Sequence, residues 1–459
     1  MLIYFAGICG TAMASAAVAL KQKGYQIMGS DTNIYPPMSD FLIANGIEIL
    51  PGYREENLRK IKPDLVVIGN ALSRGNPEVE YVLNQHWNFS SLPELLKNYF
   101  IRGKRSLVVC GTHGKTTTTS LLTWVFEHNG FNPSYLIGGI PTNLNQGARF
   151  TDSPWFIIEG DEYDTAFFDK RSKFIHYCPE VAILNNLEFD HADIFENLSM
   201  VKKTFRHLIN TVPGNGLVLF NGDDSNLREI TNGVTFCPTR SFGLTEACQN
   251  IAKNCAYTDH GSSFELNGIT YSIPMTGELN VRNALAVTSC ALHCGLSPEQ
   301  IQSAFNTFKG IRRRMEVVGT KSGVTVIDDF GHHPTAIIQT LAALRKRYPG
   351  QRIWAAFEPR SNTTRRNVFQ KELAQALGQS DGAVISAVAR ENLLSKEERL
   401  DVNKLVEDIR SDFHIPAAHF DEIDQIVKWL TSQAKEGDII CAFSNGKFEG
   451  IHHLLLENL

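Results

Sequence analysis

Gly111, Thr112, His113, Gly114, Lys115, Thr116 and Thr117 follow one another between the apolar run SLVVC and the helical stretch TTTTSLLTWVFEH. A strand that turns through glycine into a helix aims backbone N–H groups and the positive end of the helix dipole at one spot, which suits a phosphate. Lys115 is set to reach the outer phosphates of a nucleotide, and the Thr116 hydroxyl to ligate Mg²⁺. Val109 stands where the standard phosphate loop has its first glycine, so only the G-K-[ST] half of that motif is matched. The reading is an ATP site; the bland alternative is a turn glycine followed by a surface lysine.

Three further groups could do chemistry, and two weaker signals stand beside them. EGDEYD at 159–164 follows the apolar run WFII, and a carboxylate at a strand end beside a phosphate loop is what nucleotide-bound Mg²⁺ requires, with Glu159 the first choice. NNLEFDHAD at 185–193 follows VAIL, and its His191 reads as a metal ligand, a base or a hydrogen-bonded loop residue. GICGTAM at 7–13 has Cys9 at the middle glycine position of a dinucleotide fingerprint; Gly7, Ile8, Gly10 and Thr11 still outline a diphosphate seat, with Asp31 closing the next strand. Asn280 and Asn283, near a helix start in GELNVRNALA, either cap the helix or contact a purine. His332 and His333, after Asp328 and Asp329, fit a metal or an ordinary loop equally.

These residues need strand ends to hold them, and the chain supplies them in three rounds of strand–helix alternation. LIYFAG, YQIMGSD and DLVVIGN belong to the first, SLVVCG, WFIIEGD, VAILNN and GLVLFNG to the second, and GVTVIDDF, RIWAAFEP, GAVISAV and DIICAFSNG to the third. Such alternation predicts parallel sheets covered by helices, an α/β architecture of three domains. The breaks at IRGKR and GIRRR put these at 1–103, 104–316 and 317–459, the outer two Rossmann-like and the middle one of ATPase type. Residues 234–276, with short alternating runs and the turn formers DHGSS and LNG, predict a small antiparallel patch.

With 459 residues, 43% hydrophobic and 20% charged, the chain has the composition of a folded globular protein. A net charge of -5 and a pI near 6.3 argue against a general nucleic-acid binder while leaving room for a local cationic pocket. The nine cysteines include no C-x-x-C, and Cys290 and Cys294 fall in an apolar helical stretch, which suits buried free thiols in a reducing compartment. The N-terminal apolar run lacks a basic lead and a cleavage site, and no window is long enough for a membrane helix, so a cytoplasmic protein with no membrane partner is expected.

Taken in order, GTHGKTTTT, EGDEYD, EFDHAD, GELNVRNALA, GIRRR and DDFGHHPTA resemble the Mur ligase family along essentially the whole chain. The resemblance implies an ATP-dependent ligase that activates the carboxylate of a UDP-linked sugar acid as an acyl phosphate for attack by an amine, in cell-wall biogenesis and hence cell shape and division. It implies domains for UDP-sugar, ATP and amine substrate, in that order. Position by position, Lys115 and Thr116 match the phosphate lysine and magnesium ligand, Glu159 and His191 metal-holding residues, and Asn280 and Asn283 the stretch near adenine. Arg314 matches an arginine approaching the terminal phosphate, Asp329 a nucleotide contact and His332 a junction residue. Leu279 departs from a common histidine. Lys202 and Lys203 are candidates for the carbamylated lysine of some relatives. Gly7 to Thr11 with Ser30, Asp31 and Asn70 would bind the UDP-sugar, and Arg360, Ser361, Asn362, Ser444 and Asn445 the peptide.

Within the family, GTHGKTTTT and DDFGHHPT are similar to the branch that adds L-alanine to UDP-N-acetylmuramate. NIYPPMS, GNALSRGNP, AFFDKRSKFIHYCP, EPRSNT and SNGKFEGIH look more like the branch that attaches a whole L-alanyl-γ-D-glutamyl-meso-diaminopimelate tripeptide to the same acceptor in peptidoglycan recycling. A simple P-loop kinase does not account for the first and third domains, and a nucleotide-gated sensor does not need Lys115, Thr116, Glu159 and His191 together.

Overall fold

Strands built of unbroken Val, Ile and Leu must be covered on both faces, and each of the three groups read above lies in a mainly parallel sheet. In the computed structural model, which describes residues 1–390 and 394–459, the first five strands form an all-parallel sheet. Its spatial order is Glu48–Pro51, Gln26–Asp31, Leu2–Ala6, Leu65–Ile68, Phe89–Ser91. The direction of winding reverses at Leu2–Ala6, the position where open α/β sheets form a crevice.

The central sheet has eight strands, parallel except for the terminal Ser134–Leu136 and Ala148–Arg149 pair. Arg105–Cys110 lies between Trp155–Glu159 and Val181–Leu184. Parallel neighbours deliver their C-terminal ends side by side, so the loops beginning at Gly111, Gly160 and Asn185 are brought together although the chain separates them widely. Alternate residues serve opposite faces: Leu107, Val109, Ile157 and Ile183 pack with residues of helices Lys115–His128 and Glu278–His293. Val108, Ile158 and Leu184 face Phe174, Phe205 and Leu208 in a core that continues into the N-terminal domain. Each such side chain contributes about 1.5–3 kcal/mol by leaving water.

The expected antiparallel patch is smaller than 234–276. Lys253–Thr258, Gly261–Leu266 and Ile269–Ile273 form it, but Thr239–Gly243 and Asn250–Ile251 extend the large parallel sheet instead. Phe242 is only 1% exposed in that sheet, a burial that a small exposed patch does not supply.

The C-terminal sheet has six strands, all parallel except the edge Glu316–Lys321, which pairs antiparallel with Val324–Asp329, so this sheet begins at Glu316. Among the described residues no helix is long and apolar enough to cross a membrane. Within the C-terminal core Trp354 donates to Asp438 at 3.0 Å and meets Trp429 edge-on at 5.6 Å. A Cβ on the neighbouring Gly382 would lie 2.2 Å from the Trp354 ring. Gly382→Ala must therefore displace a buried indole, and we expect it to lower C-terminal domain stability by about 1–3 kcal/mol. Urea unfolding followed by tryptophan fluorescence measures this, and an unchanged midpoint would show the packing to be slack.

Candidate active site

The three adjacent strand ends converge on one buried carboxylate. Lys115, the first residue of its helix, folds back over the loop so that its Nζ donates to the Gly111 carbonyl at 2.6 Å and to both oxygens of Glu162 at 2.8 and 2.9 Å. His191 Nε2 meets the same Glu162 at 2.9 Å. Burial works against the charge of all three, but the pairing outweighs it: the Lys115 and His191 pKa values are raised and that of Glu162 is lowered. Glu162 does not stand out within EGDEYD, because the four acids of that segment look alike until the strand end fixes their directions.

Glu159, the first choice from sequence, sits beside Thr116. It accepts from the Thr116 hydroxyl at 3.0 Å and the Gly138 N–H at 2.8 Å. Burial raises its pKa despite the nearby charges of Lys115 and Arg314. His191 is thus bonded to Glu162, not to Glu159.

Amides brace the loop from below. The His113 N–H donates to Asn186 Oδ1 at 2.8 Å and Asn186 returns a bond to the His113 carbonyl at 3.1 Å. Thr118 links Asn185 and Asn283 at 2.9 and 3.1 Å. Gly114 has φ +76°, and a Cβ there would lie 2.6 Å from Asn283 Oδ1, so glycine is required on both counts. Asn283, 2% exposed, therefore lies under the loop, whereas Asn280 and Leu279 border the cavity.

The C-terminal domain closes over this centre. Arg313, in a left-handed conformation with φ 62°, donates to Asp328 at 2.9 Å and to the carbonyls of Ser444 and Gly446 at 2.8 and 2.6 Å. Its neighbour Arg314 turns the other way, reaching the Thr116 hydroxyl at 3.4 Å. Asp329 is engaged by the N–H groups of Met315 and Gly331, both at 2.8 Å. Of the tandem histidines, His332 borders the cavity and contacts the Phe330 carbonyl at 3.1 Å. His333 caps the helix Pro334–Arg347 and meets the Phe189 carbonyl at 3.2 Å. Glu188 bridges His113 at 3.2 Å and Thr335 at 2.7 Å, tying the phosphate loop to the C-terminal domain. Sequence reasoning misses Glu188 and Thr335, since nothing local marks a contact across domains.

The three family models that match are the Mur ligase family catalytic domain over residues 2–102, the Mur ligase middle domain over 109–291 and the Mur ligase glutamate ligase domain over 313–446. The chain is 42% identical over 463 residues to a UDP-N-acetylmuramate–L-alanyl-γ-D-glutamyl-meso-2,6-diaminoheptandioate ligase of Haemophilus influenzae, covering all of this chain and 99% of the relative. The chain belongs to the Mur ligase family. A UDP-N-acetylmuramate–L-alanine ligase of Clostridium acetobutylicum is 31% identical over 99% of this chain and 97% of its own. The crystal structure of a murein peptide ligase from Psychrobacter arcticus matches with a TM-score of 0.72 at 34% identity, covering 100% of this chain and 98% of that one.

In this Mur ligase one cavity of about 2010 Å³ runs past all three domains. Lys115, Thr116, Glu159, His191, Arg314, Asp329 and His332 border it, as do Arg360, Ser361, Asn362 and Asn445. Ser444 lies behind, its hydroxyl donating to Glu358. In the N-terminal domain only Thr11 and Asn70 of the residues read from sequence border the cavity. Asp31 instead accepts from the Cys9 N–H at 2.9 Å and the Tyr53 hydroxyl at 3.3 Å, and the Gly7 and Ile8 N–H groups go to the Ser30 carbonyl. The Ser30 hydroxyl donates to the buried Glu78 at 2.6 Å. Lys202 pairs with Glu229 at 2.6 Å and Lys203 is exposed, and neither borders the cavity. That position removes both as candidates for a modified metal ligand at this centre.

The Mur ligase residues fit a hard divalent cation. Glu159 and Thr116 set two oxygens side by side, and the buried carboxylate is bonded directly only to neutral donors. Glu162 is bound by Lys115 and His191, whose positions depend on its charge. Glu162→Gln keeps the shape and removes that charge, and we expect a roughly 10–100-fold loss of turnover together with a lower melting temperature, because Lys115 is left buried without its carboxylate. ADP release under saturating substrates is the measurement, and near-normal turnover would make the pairing incidental.

Proposed function

We propose that this Mur ligase joins the lactoyl carboxylate of UDP-N-acetylmuramate to the amine of L-alanyl-γ-D-glutamyl-meso-diaminopimelate, with cleavage of ATP to ADP and phosphate. The 42% identity to a tripeptide-adding relative across both whole chains, against 31% to an L-alanine-adding one, carries the choice of amine. On this reading the enzyme works in the cytoplasm, reusing cell-wall fragments for peptidoglycan synthesis and so serving cell shape and division. The domains take UDP-sugar, ATP and peptide in chain order, divided near residues 103 and 316.

A carboxylate is a poor electrophile, and phosphorylating it gives an acyl phosphate that an amine can attack. Two anions must first approach each other, so the chain's task is to offset charge and align the groups. Lys115 exchanges Glu162 for the outer phosphates. Arg314 lies over the same place, held against the Phe330 ring with its guanidinium 4.9 Å from the ring centre. Glu159 and Thr116 would hold Mg²⁺, with His191 and Glu162 beside them, and the ion when bound would draw charge from the phosphate oxygens. Asn280, at the cavity wall, would contact the purine, Asp329 the nucleotide, and His332 would steady the junction. As phosphate leaves, Arg360, Ser361, Asn362 and Asn445 steady the peptide, and the amine proton passes to a nearby base or to phosphate.

The test is phosphate release with UDP-N-acetylmuramate, ATP and Mg²⁺, comparing L-alanine with the tripeptide. Turnover with the tripeptide at least tenfold above that with L-alanine supports the reading. The reverse preference identifies an L-alanine ligase, and release with neither amine present identifies a kinase or ATPase.

A further inference from the structure

Two guanidinium groups that border the cavity from the C-terminal side already have an anion: Arg360 pairs with Glu358 at 3.2 Å and Arg313 with Asp328 at 2.9 Å. Arg365 differs. It is 7% exposed and borders the cavity, yet among the described residues it forms no ion pair. Its Nη groups reach only neutral oxygens, the Asn362 side chain and the Arg390 carbonyl at 3.5 Å, and its buried Nε has no acceptor. Arg390 also borders the cavity, is exposed and has no ion-pair partner among the described residues.

Burial and the positive charges of Arg390 and Arg366 together push the Arg365 pKa down; Asp193, which accepts from Asn362 at 2.7 Å, is the carboxylate that opposes them. A buried cation with an orphan N–H and a like-charged neighbour is unfavourable, and a carboxylate between the two planar guanidinium groups would satisfy both. The place is well defined, because the turn from Ser361 to Arg365 is fastened to the loop that carries His191. Thr363 donates to Asp190 at 2.8 Å and receives the Ala192 N–H at 3.4 Å.

The peptide proposed above carries free carboxylates that L-alanine lacks, one on its γ-linked glutamyl residue and two on the diamino acid. We infer that Arg365 and Arg390, with Asn362, form a carboxylate subsite that binds the incoming peptide beyond its first peptide bond and so selects a peptide over a free amino acid. The inference rests on the amine substrate proposed above.

The experiment compares wild type, Arg365→Gln, Arg365→Lys and Arg390→Gln by steady-state phosphate release. The amines are the tripeptide, its glutamyl α-amide, its two diaminopimelate mono-amides and L-alanine. We expect Arg365→Gln to raise the tripeptide KM by about 10–100-fold with kcat within threefold and the KM values for ATP and UDP-N-acetylmuramate unchanged. Lysine should restore part of the loss, and Arg390→Gln, at an exposed position, should act in the same direction even if the Arg365→Gln protein folds poorly. One amide should raise the wild-type KM and add nothing in Arg365→Gln, which identifies the bound carboxylate. A fall in kcat alone, a common rise in all three KM values, or additivity for every amide overturns the subsite. Wild-type turnover of L-alanine without turnover of tripeptide overturns the substrate reading instead.

Discussion

Glu162 is 3% exposed and holds its charge because Lys115 and His191 reach it from two different strand ends. A lone buried carboxylate would take up a proton, and a lone buried ammonium would lose one. The three groups therefore make sense only together, and they are together only because Arg105–Cys110 has Trp155–Glu159 and Val181–Leu184 as its parallel neighbours. The sheet order is thus a condition of the electrostatics. It also gives Lys115 a resting partner, so that a phosphate exchanges one anion for another without leaving a bare cation in the interior.

The same pairing logic extends across the domains. Arg313 and Arg314 are consecutive, yet one fastens the C-terminal domain through Asp328 and two carbonyls while the other reaches Thr116. The left-handed backbone at Arg313 and Met315 is what lets adjacent side chains part in this way, a strain retained where the linker must turn sharply. Glu188 then joins His113 of the phosphate loop to Thr335 of the C-terminal domain. The position of that domain and that of the loop are therefore fixed through one shared carboxylate.

Much of the fold is legible in the sequence because it rests on local pattern. SLVVC, VAIL and GAVIS have the unbroken apolar character of strands buried on both faces, and glycine turns follow the first of them directly. GTHGKTTTT is contiguous, so its strand, loop and helix can be read as one unit. What is not legible depends on direction or on distance in the chain. EGDEYD offers several acids, and only the end of the strand decides that Glu159 turns to Thr116 while Glu162 turns to Lys115. The tandem His332 and His333 are alike in sequence and both border the cavity, but only the second also caps a helix. Asn283 has the composition of a base contact and the position of a brace, because its helix packs against the phosphate-loop helix. The stretch TRSFG reads wrongly as part of a patch for a related reason: whether a short strand joins one sheet or another depends on which sheet can bury Phe242.

The site is therefore asymmetric in how it handles charge. On the phosphate side Lys115 rests on Glu162, and Arg314 lies near Glu159 and Asp329. A polyanionic nucleotide binds there by exchange, and binding by exchange is weaker than the summed attractions suggest because each displaced carboxylate must find another partner. At the proposed carboxylate subsite Arg365 and Arg390 form no ion pair among the described residues, Asp193 being the nearby carboxylate, so a carboxylate bound there would displace no directly paired anion.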